Sequence, residues 1–186
     1  MPTIISHPVI PLTAALIGGP RLVSARLLLA AAVASILPDA DAIGFYLGIP
    51  YGHAMGHRGF SHSIVFALVI GLLGALLASR LHARRSSAFL VLFMSVLSHG
   101  LLDAMTSGGL GIAFFSPFSN ERYFLPWRII QVSPLSLERF ISLRGWDVLK
   151  SEFAWIWIPS LAIGCFGLLC RLLYRGLAKR RNRQYL

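Results

Sequence analysis

His99 and Asp103 stand four residues apart in the run Ser98-His99-Gly100-Leu101-Leu102-Asp103. On a helix that spacing is about one turn, so the imidazole and the carboxylate leave from the same side and can hold one cation or each other. The surrounding run is apolar, and an ionisable group there costs about 2.5 to 3.5 kcal/mol on membrane-insertion scales. That cost favours a functional partner over a plain interhelical hydrogen bond, the ordinary reading of an isolated pair. A second pair, His57 and His62, lies five apart across Gly59 in His57-Arg58-Gly59-Phe60-Ser61-His62-Ser63. One loop ligand and one first-turn ligand are expected from it, against a plainer alternative of helix capping by Ser61 or Ser63. Leu37-Pro38-Asp39-Ala40-Asp41 supplies two carboxylates at a helix stop, where Asp is also a common turn residue. They can bridge two ions, serve as general base, or orient a ligand histidine.

With His7 added, the candidate metal ligands are His7, Asp39, Asp41, His57, His62, His99 and Asp103, and three of the four aspartates of the chain are among them. Imidazole and carboxylate without thiolate suit zinc first, with manganese or iron as alternatives. Seven donors exceed one tetrahedral catalytic ion, so one or two ions are expected, with Asp39 or Asp41 as catalytic base. Cys165 and Cys170, five apart in an apolar run, read as packing or lipid-facing residues. There is no H-E-x-x-H and no G-x-S-x-G, so the expected nucleophile is water activated by the ion. Arg58, Arg122 and Arg128 are candidates for holding an anionic substrate group. Arg58 has two alternatives, a ligand carboxylate and an interfacial anchor. His53 is a secondary candidate, and His82, beside Arg84, reads as a plain histidine on the opposite face.

These residues have to be positioned by membrane helices. The 186-residue chain is 56% hydrophobic and only 13% charged, too apolar for an ordinary soluble domain of its size. Runs of about 20 apolar residues are needed to span roughly 30 Å of hydrocarbon. Phe60–Ser79, Ser87–Met105 and Phe153–Tyr174 meet or approach that length, and Val23–Leu37 is a shorter fourth run with Arg26 placed to snorkel. Val9–Gly19, about a dozen residues with Pro11 inside, reads as a half-span or an interfacial helix. Thr106–Glu152 holds Gly108, Gly109, Gly111, Pro117, Pro126 and Pro134, so it cannot be one helix. Its many aromatics suit an interfacial cap. The expected fold is an all-α polytopic bundle of four to five spanning or half-spanning helices in one domain. Residues 1–105 form the metal-site core, 106–152 an outer cap, 153–174 the last span and 175–186 a basic tail. No cleaved leader is expected, because Met1 to Val9 has no Lys or Arg.

The net charge of +10 separates a membrane flank from a nucleic-acid surface. Arg80, Arg84 and Arg85 follow one apolar run, and Arg171, Arg175, Lys179, Arg180, Arg181 and Arg183 follow the last, as the positive-inside rule expects of cytoplasmic ends. No nucleic-acid partner is expected. With those groups and Arg21 and Arg26 cytoplasmic, the helix directions bring Asp39, Asp41, His57, His62, His99 and Asp103 to the outer face. His7 joins them if the chain starts outside. The orientation used only Lys and Arg, so the convergence is an independent support for a metal site.

Together, His7, P-D-A-D at 38–41, H-R-G-F-S-H-S at 57–63 and S-H-G-L-L-D at 98–103 resemble the YdjM-like membrane-bound metal-dependent hydrolases, over about the first 105 residues. More distantly, His99-x-x-x-Asp103 with an upstream Asp and His is similar to the all-helical zinc-dependent phospholipase C group. No second helix with such a pair is present to complete a three-metal cluster. The resemblance implies a bacterial inner-membrane hydrolase of esters or phosphoesters. With the site outside and the C-terminus in the cytoplasm, a lipid or lipid-linked substrate is expected. A non-enzymatic metal sensor or carrier is the main alternative. A carrier needs a polar path across the membrane, and the inner halves of these helices are apolar. A purely structural His-Asp network is the third. Oligomeric state is open.

Overall fold

The computed structural model describes residues 1–134 and 137–183, with no side chain described at 137, 139 or 178–183. The expected basic groups Lys179, Arg180, Arg181 and Arg183 therefore lie outside the described side chains. The described residues are helical, with two isolated β-bridges and no strand. Three helices are long and apolar enough to cross a membrane, Ala25–Tyr46, Arg85–Ala104 and Leu143–Leu177.

Ser24 opens the first of these by accepting a hydrogen bond from the Leu27 amide at 3.1 Å, an N-cap ahead of an alanine-rich run of high helix propensity. Helix α2 (Ala25–Ile36) tightens at Pro38 into a 3-10 turn, Leu37–Ala42, and continues into the short α3 (Ile43–Tyr46). The run read as Val23–Leu37 is thus extended to 22 residues, because the proline alters the helical pitch without ending the helix.

The opposite correction applies to the span expected over Phe60–Ser79. Phe60–His62 is a 3-10 turn, Ser63 caps the chain by accepting from the Phe66 amide, and α4 covers only Ile64–Leu76. Its 13 residues reach roughly 20 Å, short of the hydrocarbon thickness. The sequence was continuous in hydropathy there, but the cap, not the hydropathy, sets the helix start. Helix α5 (Arg85–Ala104) lies against α4 at close range: a Cβ on Gly74 would stand 2.4 Å from Leu92 Cδ1. Such small residues let membrane helices approach. Leu27, Ala31, Ala34, Ala67, Ala88, Val91, Leu92 and Val96 fill the space between α2, α4 and α5.

Helix α1 (Val9–Gly18) is ten residues long, half a span, and packs on the last helix, where Gly164 and Gly167 face Leu16 and Ile17. Residues 106–134 form an irregular segment, pinned by the Leu125 amide on Ala104 O and the Ala113 amide on Arg58 O. After α6 (Leu137–Phe140), α7 (Leu143–Glu152) runs through a π-helical turn, Phe153–Trp157, into α8 (Ile158–Arg183). The final long helix therefore begins at Leu143, ten residues before the apolar run, because Ser142 caps an amphipathic first section.

Candidate metal centre

The two ends of α2 and α5 and the turn before α4 meet at one point. Asp39 comes from the 3-10 turn after α2, His62 from the turn before α4, and His99 and Asp103 from the last turns of α5. One donor atom from each of the four lies within 4.8 Å of the others, and all four are buried. His99 Nε2 is 3.1 Å from His62 Nε2 and 3.3 Å from Asp39 Oδ1, and His62 Nε2 is 3.6 Å from Asp103 Oδ2. Two donors bound to one tetrahedral zinc at about 2.0–2.1 Å stand about 3.3 Å apart, so these spacings could accommodate such an ion.

Ring orientation supports the same reading. His99 Nδ1 donates to the Ser35 carbonyl at 2.8 Å, which leaves Nε2 facing the cluster as an acceptor. His62 Nδ1 lies 3.0 Å from the Ser61 hydroxyl and 3.2 Å from Asp41 Oδ2, so its Nε2 also faces inward. Burial alone would lower the pKa of His62, but the hydrogen bonds to Asp103 and Asp41 outweigh it and raise it to about 9. In the metal-free protein a proton on His62 therefore supplies the positive charge that the surrounding carboxylates call for.

His7 is fully buried and stacks on His99 with ring centroids 3.8 Å apart, and its Nε2 is 3.9 Å from Asp103 Oδ1. Burial, reinforced by His99, lowers its pKa to about 3, so it is a neutral donor at physiological pH. Both His7 nitrogens, both Asp39 oxygens and Asp103 Oδ1 are buried without a hydrogen-bond partner. Buried polar atoms are satisfied in the great majority of cases. The Asp39 oxygens, Asp103 Oδ1 and one nitrogen of His7 lie together, and such donors could hold a divalent ion.

Residues 1–179 match the YdjM inner membrane protein family. The chain belongs to that family. It is 42% identical to the inner membrane protein YbcI of Escherichia coli (strain K12) over 164 residues, which cover 88% of this chain and 95% of that relative. No solved structure matches the chain.

In this YdjM-family chain the remaining predicted residues surround the four-residue cluster in distinct ways. Asp41, His57 and His62 form a second close group. Arg58 adopts a positive φ of 64°, a conformation uncommon outside glycine. The reversal sends its fully buried side chain away from His57 and onto Asp103, where Nε donates to Oδ2 at 3.1 Å. Nη1 donates to Gly108 O at 2.8 Å and Nη2 to Thr106 Oγ1 at 2.9 Å. The partner of Arg58 in the structure is thus a carboxylate of the cluster, Asp103. Gly109 has φ +89°, and a Cβ there would meet Arg58 Nη1 at 2.4 Å, so this position needs glycine.

Arg122 donates to the carbonyls of His57, Tyr51 and His53, and Arg128 donates to Thr106 O while lying over the Phe124 ring. Both brace the loops around the centre. His53 is exposed and accepts from the Met55 amide, and His82 is exposed as well. Neither joins the cluster.

One functional group escaped the sequence reading. Glu152, at the end of α7, is buried and accepts from the Thr3 amide at 2.5 Å, from the Thr3 hydroxyl and from the Ser6 hydroxyl at 2.6 Å. Trp157 Nε1 donates to the same Ser6 oxygen at 2.9 Å. This knot fixes the residue that precedes His7. The available signal was a lone acid directly ahead of some twenty apolar residues.

Proposed function

We propose that this protein is a membrane-embedded, metal-dependent hydrolase of an ester or phosphoester carried by a lipid or lipid-linked molecule. The observation that carries the reading is the convergence of unpartnered donor atoms of His7, Asp39 and Asp103 with the inward nitrogens of His62 and His99. Zinc suits this nitrogen and oxygen set, as do manganese and iron. A divalent ion held there would supply Lewis acidity and lower the pKa of a bound water.

The chain's own groups would do the rest. Asp39, with two free oxygens, can take a proton from the attacking water. Arg58 donates to Asp103 Oδ2 and, with three of its donors engaged by the protein, keeps the carboxylate aimed at the cluster. Arg80, Arg84, Arg85, Arg171 and Arg175 at the opposite helix ends support an outward-facing centre and a cytoplasmic C-terminus. A lipid substrate is supported by an apolar groove of about 490 Å³ between Ile5, Trp146, Leu149, Phe153 and Trp157, which shares Glu152 with the knot beside His7. The apolar filling between α2, α4 and α5 favours a hydrolase over a carrier, which needs a polar route across the membrane.

The test is elemental analysis of detergent-purified protein beside a His99→Ala/Asp103→Ala variant of equal helicity. A bound divalent ion that the variant lacks, followed by metal-dependent release of product from phospholipid vesicles, supports the reading. Wild-type protein with no ion after exposure to zinc and manganese overturns it.

A further inference from the structure

The seven polar residues at the centre divide into two sets by how their lone pairs are used. Both oxygens of Asp39 and one of Asp103 accept nothing. Asp41 is the reverse. Its Oδ1 accepts from His57 Nδ1 at 2.6 Å, and its Oδ2 accepts from the Ser61 hydroxyl at 2.5 Å and the Arg58 amide at 3.1 Å, with His62 Nδ1 at 3.2 Å. A carboxylate has about four acceptor positions; three contacts crowd Oδ2 and a fourth takes half of Oδ1, so Asp41 offers an ion at most one position.

The spacing of His57 and Asp41 is too tight for two ligands of one ion. Donors sharing a tetrahedral ion stand about 3.3 Å apart, whereas these two are 2.6 Å apart, a charge-assisted hydrogen bond. His57 is also held from the side. Its ring centroid lies 5.6 Å from that of Phe45 and 5.3 Å from that of Tyr51, and Arg122 grips its carbonyl at 3.0 Å.

We infer that the centre takes a single ion through Asp39, His62, His99 and Asp103, with His7 beside them, and that Asp41 and His57 are positioning residues acting through His62. This rests on the metal reading above and assigns the second close group a role other than a second metal site. His57 holds Asp41, Asp41 and Ser61 hold His62 Nδ1, and the fixed ring presents Nε2 to the ion. A carboxylate behind a ligand histidine also raises the basicity of the bound nitrogen, and losing it weakens metal binding about 10- to 100-fold.

The experiment is a zinc titration of the detergent-solubilised full chain against a chelator of known affinity, with ion content measured in parallel and Co²⁺ spectra recorded for each variant. Wild type is expected to bind one ion per chain. Asp41→Asn and His57→Ala should still bind one, with the dissociation constant raised about 10- to 100-fold and the Co²⁺ ligand-field bands in place, because the ligand set is unchanged. His57→Asn, whose amide nitrogen can stand where Nδ1 stood, should recover most of the affinity. Two ions in wild type falling to one in His57→Ala would overturn the inference in favour of a second site, as would unchanged affinity in both Asp41→Asn and His57→Ala. Wild type binding no ion would remove the centre itself, a different failure from either of these.

Discussion

His99 and His62 confront each other through their Nε2 atoms at 3.1 Å, each ring being pinned from behind at Nδ1. Two nitrogen lone pairs at that distance repel unless a proton or a cation lies between them. An ion binding only the folded chain stabilises it by about 2.7 kcal/mol at a hundredfold excess over its dissociation constant. For a chain of this size that corresponds to roughly 5 to 10 °C in Tm. Chelator treatment should lower the Tm of the detergent-solubilised protein by such an amount, zinc should restore it, and His99→Ala should show neither response.

The proton on His62 competes with the ion. Its pKa in the metal-free protein is raised from 6.5 to about 9. Its stabilising contribution is thus complete below pH 6.5 and lost as pH rises through about 9. Metal binding must displace that proton across the whole range below 9. Apparent metal affinity should increase about tenfold per pH unit between pH 6 and 8, with about one proton released per ion, measurable by calorimetry in buffers of different ionisation enthalpy. An affinity independent of pH would contradict a protonated His62.

Arg58 and Asp103 form a fully buried pair. Removing one member of such a pair costs about 3 to 5 kcal/mol, because the other charge is left without compensation. Arg58→Ala should therefore lower Tm and metal content together. Arg58→Lys should recover little of either, since an ammonium cannot reach Asp103, Thr106 and Gly108 with three fixed donors. A role limited to gripping substrate would leave metal content intact in both variants and change only KM.

Glu152 acts at one remove. In Glu152→Ala the Thr3 amide and the Thr3 and Ser6 hydroxyls lose their acceptor, at about 1 to 3 kcal/mol for each group left buried and unsatisfied. The segment carrying His7 then loosens. The expected signature is a faster release of bound metal to chelator with unchanged stoichiometry, milder in Glu152→Gln, which keeps an acceptor.

Much of the centre could be read from the linear chain because its parts lie on local patterns. Four-residue spacing put His99 and Asp103 on one side of a helix, and charge asymmetry brought Asp39, Asp41, His57 and His62 to the same end. The division of labour between them was not readable. It depends on the positive φ at Arg58 and on the 3-10 turns at Leu37–Ala42 and Phe60–His62, which turn neighbouring side chains in different directions. Hydropathy likewise placed the helices but not their ends. The Ser63 cap shortens α4 and the Ser142 cap lengthens the last helix, and a cap is a local hydrogen bond that a twenty-residue average does not register. Glu152 was missed because its partners are 146 and 149 residues away.

That separation bears on how the protein is made. Residues 3–7 enter the membrane system early, yet Glu152, the acceptor that Thr3 and Ser6 share, is available only once α7 has emerged. Until then the stretch with His7 can stack on His99 but lacks its tie to Glu152. The tie on the His7 segment therefore arrives last, so a premature stop or a failed final insertion leaves Asp39, His62, His99 and Asp103 on the chain but the stretch beside them unanchored by Glu152.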